Sequence, residues 1–325
     1  MKEALEATLR ELLGQGEVVR LQRLPGGASK EAWAVDYRTG DILHPLFLRR
    51  VAGGVIYRGT LSLATEFRIL TLAQAQGVRV PEPLVYLPDL EGKEAFLMRR
   101  LEGESIGARV VRRPEYQRAR ERLPEAMAEE LAKIHAIPLE KVLFLPAPTS
   151  PPWRAALETA YQDLDALEEP HPALEWGLRW LLDHPPRERP LVLVHGDFRI
   201  GNLLVNEEGL VAVLDWEFAH LGDPREDLAW PLVRAWRFGE DRKRLGGVGE
   251  VGPFLERYNA RSGQDIGEEE LFWWEVLGNA RWGLGALKQA RRHLRGEERS
   301  VELAVLGRLA AEMEYEILHL LERYG

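Results

Sequence analysis

Cysteine is absent from this 325-residue chain, and its absence excludes several kinds of chemistry. The protein can have no disulfide, no thiolate metal site and no cysteine nucleophile. The chain also lacks an uncharged apolar run of membrane-spanning length, and its N-terminal stretch, MKEALEATLRELLGQG, has the pattern of an acidic amphipathic helix rather than a signal peptide. We therefore expect a cytoplasmic protein that has no membrane partner.

An excess of positive charge is missing as well. Lys and Arg number 43 against 52 Asp and Glu, which gives a formal net charge of -9. Because proteins that bind nucleic acids in general need a basic surface to displace counterions, the sequence predicts no nucleic-acid partner. The 45% of hydrophobic residues and 29% of charged residues are ordinary for a globular protein with a large core.

The chain contains two styles of sequence. Up to about residue 100, short β-like runs surround one helical stretch, LSLATEFRILTLAQAQG, which closes on Gly77. After residue 104 the pattern is mostly helical, except for the short strands LVLVH, NLLVN and LVAVLD within 191–215. The longest helical stretches are predicted near 114–136, 153–183, 224–238 and 268–324. This order predicts an α+β fold, with a small β-rich part followed by a larger helical part.

The most informative motif is HGDFRIGN, which follows the apolar run LVLV. It places Asp197 and Asn202 with four residues between them. Asp215 follows Asn202 by thirteen residues and ends the apolar run LVAVL. Phosphoryl transfer from ATP needs a carboxylate that accepts the proton of the attacking hydroxyl, and hard oxygen ligands for Mg²⁺. The DxxxxN spacing matches the catalytic loop of protein kinases. We therefore predict Asp197 as the catalytic base and Asn202 and Asp215 as metal ligands, the alternative being ordinary loop residues beside a tight turn.

These residues also carry a family resemblance. HGDFRIGNLLV and VLDWEFAHLGDPREDLAW resemble the signature of the aminoglycoside phosphotransferase and choline kinase superfamily, in which HGD replaces the HRD of protein kinases. LPGGASKEAW resembles the nucleotide-covering loop of that family, EGKEAFLMRRLEGES its hinge, and LAKIHAIP the helix before its catalytic half. The chain is most similar to the kinase-like group related to kinase domains fused to acyl-CoA dehydrogenases.

The resemblance implies a two-lobed protein-kinase-like fold with ATP in the cleft. The implied organisation is a nucleotide-binding lobe over 1–98, a hinge over 99–103, and a helical lobe over 104–325 that carries the catalytic loop and the substrate site. The hinge around Met98 and Arg100 is expected to offer backbone hydrogen bonds to adenine.

The residues Gly26, Gly27 and Ser29 join two β-like runs. Taken alone, they are as consistent with a plain hairpin turn as with a loop whose backbone amides bind phosphate. The resemblance implies the second interpretation, in which these residues cover the triphosphate.

Arg49 ends the strand-like run LFLR at the place where protein kinases carry a lysine that pairs with a glutamate. Glu66 in LATEFRIL is its natural partner. Arginine can bind a phosphate bidentately, so we predict that Arg49 and Glu66 belong to the nucleotide site. Arg50 competes for this role, and a surface arginine is the alternative interpretation.

Several other polar residues near these motifs favour supporting roles. We expect His195 to brace the loop and His135 to pack at a helix end. Asp223 and Asp227 flank a helix start, where carboxylates cap exposed amides. Glu217 faces either the metal or solvent.

The helical part also offers a hypothesis about the substrate. The run LFWWEVLGNARWGLGALKQARRH has the spacing of a core helix, although Trp273, Trp274 or Trp282 could line a pocket. Basic residues there favour an anionic or neutral hydroxylated metabolite, such as a hydroxyacyl-CoA, over an aminoglycoside, the alternative being a solvated basic face. These residues are Arg234, Arg237, Arg281, Lys288, Arg291, Arg292 and Arg295.

The leading hypothesis is an ATP- and Mg²⁺-dependent kinase that phosphorylates a hydroxyl group of a small metabolite. One alternative is a pseudokinase that binds nucleotide without turnover, against which the intact Asp197, Asn202 and Asp215 argue. The other is a true aminoglycoside-modifying phosphotransferase.

Overall fold

The computed structural model describes residues 1–24, 30–52 and 59–324. The predicted loop residues Gly26, Gly27 and Ser29 lie outside the described residues. The chain divides into two compact units, which we call the first and the second unit. The first comprises Met1–Gly103 and Val211–Ala219, and the second comprises Glu104–Leu210 and His220–Gly325.

The first unit is built on a five-stranded antiparallel sheet with the strand order β1-β2-β3-β5-β4. Its elements are α1 (Lys2–Leu13), β1 (Glu17–Leu24), β2 (Lys30–Thr39), β3 (Ile42–Val51), α2 (Leu63–Ala75), β4 (Pro83–Leu87) and β5 (Ala95–Arg99). Strands β2 and β3 form a hairpin in which Thr39 pairs with Ile42. Gly40 in the two-residue turn has a φ of 57°, the left-handed conformation that tight hairpin turns require.

The core of the first unit lies between α1 and the sheet. Leu5 and Leu9 are one turn apart on α1, and both are fully buried against sheet residues such as Val35, Leu46 and Leu97. Most charged residues of α1 are exposed, as its amphipathic pattern predicts, whereas Glu6 is half-buried and accepts a hydrogen bond from the backbone N–H of Val18 at 2.9 Å.

The second unit is mostly helical. Its helices are α3 (Gly107–Arg112), α4 (Gln117–His135), α5 (Pro152–Asp165), α6 (Pro172–Asp183), α7 (Pro224–Ala229), α8 (Val251–Ser262), α9 (Glu268–Leu294) and α10 (Val301–Tyr324). The strands that follow α6 are β6 (Val192–Val194), β7 (Leu203–Asn206), β8 (Gly209–Val213), whose last three residues belong to the first unit, and β9 (His220–Gly222). Strand β6 pairs with β9, α9 packs against α10, and α4 packs against α8.

The predicted α+β class is confirmed, but the helices are more divided than the sequence pattern indicated. The predicted stretch 224–238 is only the six-residue α7 followed by short 3-10 turns, since Pro231 cannot donate a helical hydrogen bond. The stretch 153–183 contains both α5 and α6, and 268–324 contains α9 and α10, with Gly296 at a φ of 73° in the connection. Within the described part of the chain, no helix is long and apolar enough to cross a membrane.

Candidate active site

The HGD motif forms a tight loop directly after β6. Gly196 has a φ of 80°, a left-handed conformation that favours glycine, so the chain turns sharply between His195 and Asp197. The carboxylate of Asp227, in α7, accepts hydrogen bonds from the backbone N–H groups of His195 at 2.6 Å and Gly196 at 2.9 Å. One buried carboxylate thus holds the backbone of the loop.

Asp227 is fully buried and connects the loop to two further helices. Its Oδ2 lies 3.2 Å from Nε2 of His135, the last residue of α4, whose Nδ1 lies 2.8 Å from the Tyr258 hydroxyl of α8. Burial alone raises the pKa of Asp227, but its interactions with His135 and His195 outweigh burial and lower the pKa below its ordinary value. Asp227 therefore stays ionised inside the protein.

This contact corrects the expectation that Asp227 caps a helix. The cap of α7 is Asp223, whose side chain accepts a hydrogen bond from the backbone N–H of Arg225. Asp227 lies further along the helix, and its carboxylate contacts the loop instead. His195 braces the loop, because its Nδ1 accepts a hydrogen bond from the backbone N–H of Asp197 at 3.2 Å.

Three N–H donors fix the carboxylate of Asp197. Oδ1 accepts from Trp230 Nε1 at 2.7 Å and from Arg199 Nε at 3.1 Å, and Oδ2 accepts from Asn202 Nδ2 at 2.6 Å. The Arg199 guanidinium stacks over the Trp236 ring at 4.3 Å. Because both carboxylate oxygens are held, the group has one defined orientation.

Asn202 is buried, and its amide has an unambiguous orientation. Its Nδ2 contacts both the backbone carbonyl of Asp197, at 2.8 Å, and a carboxylate oxygen of the same residue. Both partners are acceptors, so the amide group must present its NH₂ to them and its oxygen elsewhere. An amide oxygen is a hard ligand of the kind that Mg²⁺ takes, and the residue fits the predicted metal role.

In the first unit, five charged side chains form a group that we call the charged cluster: Lys30, Arg49, Glu66, Asp215 and Glu217. Arg49 Nη2 lies 2.9 Å from Asp215 Oδ1 and 3.1 Å from Glu217 Oε2, and its Nε lies 3.3 Å from Glu66 Oε1. Lys30 Nζ lies 2.9 Å from both Glu66 Oε2 and Glu217 Oε2. The structure thus brings Arg49 and Glu66 together and adds Lys30 and Glu217 to them.

The charged cluster has a small excess of negative charge, and each of its carboxylates is paired with Lys30 or Arg49. Burial alone lowers the pKa of the Arg49 guanidinium, but the carboxylates of Glu66, Asp215 and Glu217 outweigh it and raise the pKa above its usual value. Three carboxylates against two cations leave one net negative charge. Asp215 is the most exposed of these carboxylates, at 36%, and has a φ of 61°, so an unusual backbone conformation presents it. Its carboxylate fits Mg²⁺ as a hard ligand.

Arg50 and the predicted hinge lie in different surroundings. The Arg50 guanidinium donates to the Leu90 carbonyl at 3.0 Å and lies 3.5 Å from Glu31, away from the charged cluster. Met98 is half-buried in β5. The backbone N–H of Arg100 donates to the Pro45 carbonyl, and its side chain donates to Asp36. Because the Arg100 N–H is already hydrogen-bonded, an adenine at this end of β5 would have to form its hydrogen bonds with other backbone groups.

Sequence reasoning missed three residues of these sites: Lys30, Trp230 and Arg199, the last of which lies inside the HGDFRIGN motif. Lys30 directly follows the Gly-rich stretch, so its position next to a predicted phosphate loop was a usable signal. Trp230 follows Asp227 by three residues, a spacing that puts two helical side chains on one face. The side chains of Asp227 and Trp230 both contact the HGD loop.

The chain is similar to known proteins over most of its length. The profile of the phosphotransferase enzyme family matches residues 20–272. Mouse acyl-CoA dehydrogenase family member 10 is 29% identical over 272 residues, which cover 75% of this chain and 24% of the mouse protein. The chain therefore spans about a quarter of the length of this relative.

Solved structures show the same fold. A candidate aminoglycoside phosphotransferase from Ralstonia eutropha matches with a TM-score of 0.79 and 19% identity, covering 99% of this chain and 98% of the other. The GDP complex of aminoglycoside 2'-phosphotransferase-IIIa matches with a TM-score of 0.65 and 17% identity, covering 97% and 98%. The predicted two-lobed protein-kinase-like fold is confirmed.

The family match covers more than half of the chain and includes the HGD loop and the strand end at Asp215. It confirms both the predicted relationship and the predicted class of enzyme, a phosphotransferase. The chain therefore belongs to the phosphotransferase enzyme family.

Proposed function

We propose that the protein is an ATP- and Mg²⁺-dependent kinase that transfers the γ-phosphoryl group to a hydroxyl group of a small metabolite, with Asp197 as the catalytic base. The observation that carries this proposal is the fixed carboxylate of Asp197. Oδ1 is occupied by two donors, whereas Oδ2 accepts, among the described residues, only from the Asn202 amide. A carboxylate oxygen has two lone pairs, so Oδ2 retains one for the proton of an acceptor hydroxyl.

In the proposed reaction, the acceptor oxygen forms a bond to the γ-phosphorus while the bond from that phosphorus to the bridging oxygen of ADP breaks. The proton of the hydroxyl passes to Asp197, which later releases it to solvent. Trp230, Arg199 and Asn202 orient the carboxylate, and positioning is the main protein contribution to phosphoryl transfer.

The nucleotide is proposed to bind in the first unit. Lys30 and Arg49 supply two cationic side chains for its phosphates, and Lys30 begins β2 immediately after the predicted loop of Gly26, Gly27 and Ser29. Aminoglycoside 2'-phosphotransferase-IIIa, which shares this fold, forms a complex with GDP, and this supports a nucleotide site here. Met98 and Arg100 stay part of the proposed adenine site, through backbone groups other than the Arg100 N–H, which donates to the Pro45 carbonyl.

Asn202 and Asp215 are proposed to hold Mg²⁺, which would neutralise the charge that develops on the transferring phosphoryl group. Since Asp215 already contacts Arg49 at 2.9 Å, metal binding must replace or share that ion pair. The proposal requires that the metal bind together with the nucleotide, whose phosphates give Arg49 a new partner.

This proposal predicts the effect of Asp215→Ala on ligand-induced stability. A ligand at 100 times its Kd stabilises a native protein by about 2.7 kcal/mol, and this contribution vanishes with binding. We expect Mg²⁺ with ATP to raise the Tm of the wild-type protein above its Tm with ATP and EDTA, and Asp215→Ala to abolish that difference. Asp41→Ala, in the exposed β2–β3 turn, is the control. A Mg²⁺-dependent shift of normal size in Asp215→Ala would contradict the metal assignment.

A second prediction concerns Trp230→Phe, which keeps an aromatic ring but removes the N–H donor 2.7 Å from Asp197. Because a hydrogen bond to a charged group is worth roughly 1.5–3 kcal/mol, we expect kcat to fall by about tenfold or more. The KM for ATP should change little, because Trp230 lies in the second unit beside the base.

The matched control is Trp273→Phe, which removes an indole N–H that donates to the Leu181 carbonyl in the core. Steady-state kinetics of both variants should show a loss of kcat only at Trp230. Equal losses in the two variants would indicate a general effect of tryptophan replacement and would contradict a role in orienting Asp197.

A further inference from the structure

The basic residues of the second unit differ sharply in their partners. The sequence analysis named seven basic residues as a possible site for an anion, and most of them form ion pairs within the protein. The pairs join Lys288 to Asp163, Arg291 and Arg295 to Glu168, Arg292 to Glu298, Arg234 to Asp241, Glu312 and Glu316, and Arg237 to Glu275 and Glu316. Each of them thus has a carboxylate partner within the chain, with which a bound anion would have to compete.

Arg281 is the exception in this group. Its guanidinium is exposed and lies 5.6 Å from the centre of the Trp230 ring, and no carboxylate in the described parts of the chain lies within ion-pairing distance of it. The position on α9 therefore presents an uncompensated positive charge to solvent.

The place of this charge matters because the same tryptophan contacts the proposed base. Trp230 receives Arg281 over its ring, while its Nε1 donates to Asp197 Oδ1 at 2.7 Å. The Arg281 guanidinium and the Asp197 carboxylate therefore both contact the same indole ring. A molecule with a hydroxyl at Asp197 would have to span the Trp230 indole to reach Arg281.

The three tryptophans of α9 also differ from one another, in how exposed they are to solvent. Trp273 and Trp274 are buried, at 4% and 3% exposure, and belong to the core. Trp282 is half-buried and meets the Trp236 ring edge-to-face at 6.1 Å. Of the three tryptophans that could line a pocket, only Trp282 keeps a substantial accessible surface, and it contacts Trp236, over whose ring Arg199 lies.

We infer that Arg281 binds an anionic group of the acceptor, so that the substrate is a small hydroxylated acid. This inference rests on the proposed function. An arginine offers five N–H donors in a planar fork that matches a carboxylate or a phosphate, and no acid of the described ranges competes for this one. A polycationic acceptor would meet the charge of Arg281 beside the base, an arrangement that disfavours it.

The test uses a panel of acceptors with radiolabelled ATP and Mg²⁺. The panel contains short-chain hydroxycarboxylates, hydroxyalkyl phosphates, the neutral methyl esters of the acids, and amino alcohols of the same lengths. We expect the wild-type KM to be at least about tenfold lower for the anionic members than for the esters, since one charge-assisted contact is worth roughly a factor of ten or more.

Three variants separate recognition of the anion from a structural role. Arg281→Gln should raise the KM for anionic acceptors to that of the esters, while the KM of the esters, which offer no anion to a guanidinium, should change by a much smaller factor. Arg281→Lys should restore part of the difference, because it keeps the charge without the fork. Arg291→Gln is the control, since Arg291 lies on the same helix but pairs with Glu168.

The outcomes distinguish the inference from the function on which it rests. A preference for amino alcohols, or an unchanged KM for anions in Arg281→Gln, would overturn the inference and leave the kinase standing. If no member is phosphorylated although Mg²⁺ with ATP still raises the Tm, the acceptor is not a small hydroxylated acid and the inference also fails. Absence of both turnover and nucleotide-dependent stabilisation would overturn the proposed function itself. Hydroxycarboxylates and hydroxyalkyl phosphates distinguish the two sources of the anion.

Discussion

Asp197→Asn is expected to lower kcat by about 10²- to 10⁴-fold, the contribution of a positioned general base. The amide has nearly the shape of the carboxylate, and its oxygen can still accept from Trp230 or Arg199. What it lacks is a second acceptor oxygen and the basicity to take the proton of the acceptor hydroxyl. Its NH₂ would face the NH₂ of Asn202, which keeps only the Asp197 carbonyl as an acceptor, so we expect a modest loss of stability, while the affinity for ATP should change little.

The measurement combines turnover with a binding assay. Initial rates with an accepted acceptor and the Tm shift produced by Mg²⁺ with ATP are compared for wild-type, Asp197→Asn and the surface control Asp183→Asn, whose carboxylate pairs with Arg179. Turnover within a factor of about three of wild-type in Asp197→Asn would remove Asp197 from the role of base.

Asp227→Ala is expected to cause the largest loss of folding stability, about 3 kcal/mol or more. The substitution deprives two backbone N–H groups of the HGD loop and the His135 ring of their shared acceptor. Because the site is fully buried, water cannot replace the carboxylate without opening the structure. Activity should fall together with stability, since the same carboxylate holds the loop that carries Asp197.

The pH dependence of this effect has a definite sign. The pKa of Asp227 is lower in the folded protein than its ordinary value of about 4. A carboxyl group with a lowered pKa contributes stability above its unfolded pKa and loses that contribution as the pH falls through its folded pKa. The difference in unfolding free energy between wild-type and Asp227→Ala should therefore be constant near neutral pH and shrink below about pH 4.

Denaturant titrations of both proteins between about pH 7 and about pH 3 measure this difference. Asp183→Ala, which breaks an exposed pair between residues one helical turn apart, serves as the control and should cost less than about 1 kcal/mol. A cost of that small size for Asp227→Ala would show that the loop does not depend on the buried carboxylate.

The sequence by itself determined the family, the class of fold and the local chemistry of the HGD loop. Asp197 and Asn202 are five residues apart, with a single turn of 3-10 helix at Ile200–Asn202, so their contact at 2.6 Å follows from local geometry. The pairing of Arg49 with Glu66 was also predictable from the strand end and the helix start that carry them. Helix boundaries in the second unit were less predictable, because single residues such as Pro231 end a helix inside an otherwise helical pattern.

Only the tertiary structure decided which charges are compensated and which polar groups meet. Asp227 and His135 are 92 residues apart, and Trp230 and Asp197 are 33 residues apart, so no local spacing reveals that they form hydrogen bonds. Along α9, the sequence shows a row of similar basic residues, yet Lys288 meets an acid from another helix and Arg281 meets a tryptophan ring. The physical reason is that the effect of a charge depends on its neighbours in space, and packing between distant segments chooses those neighbours.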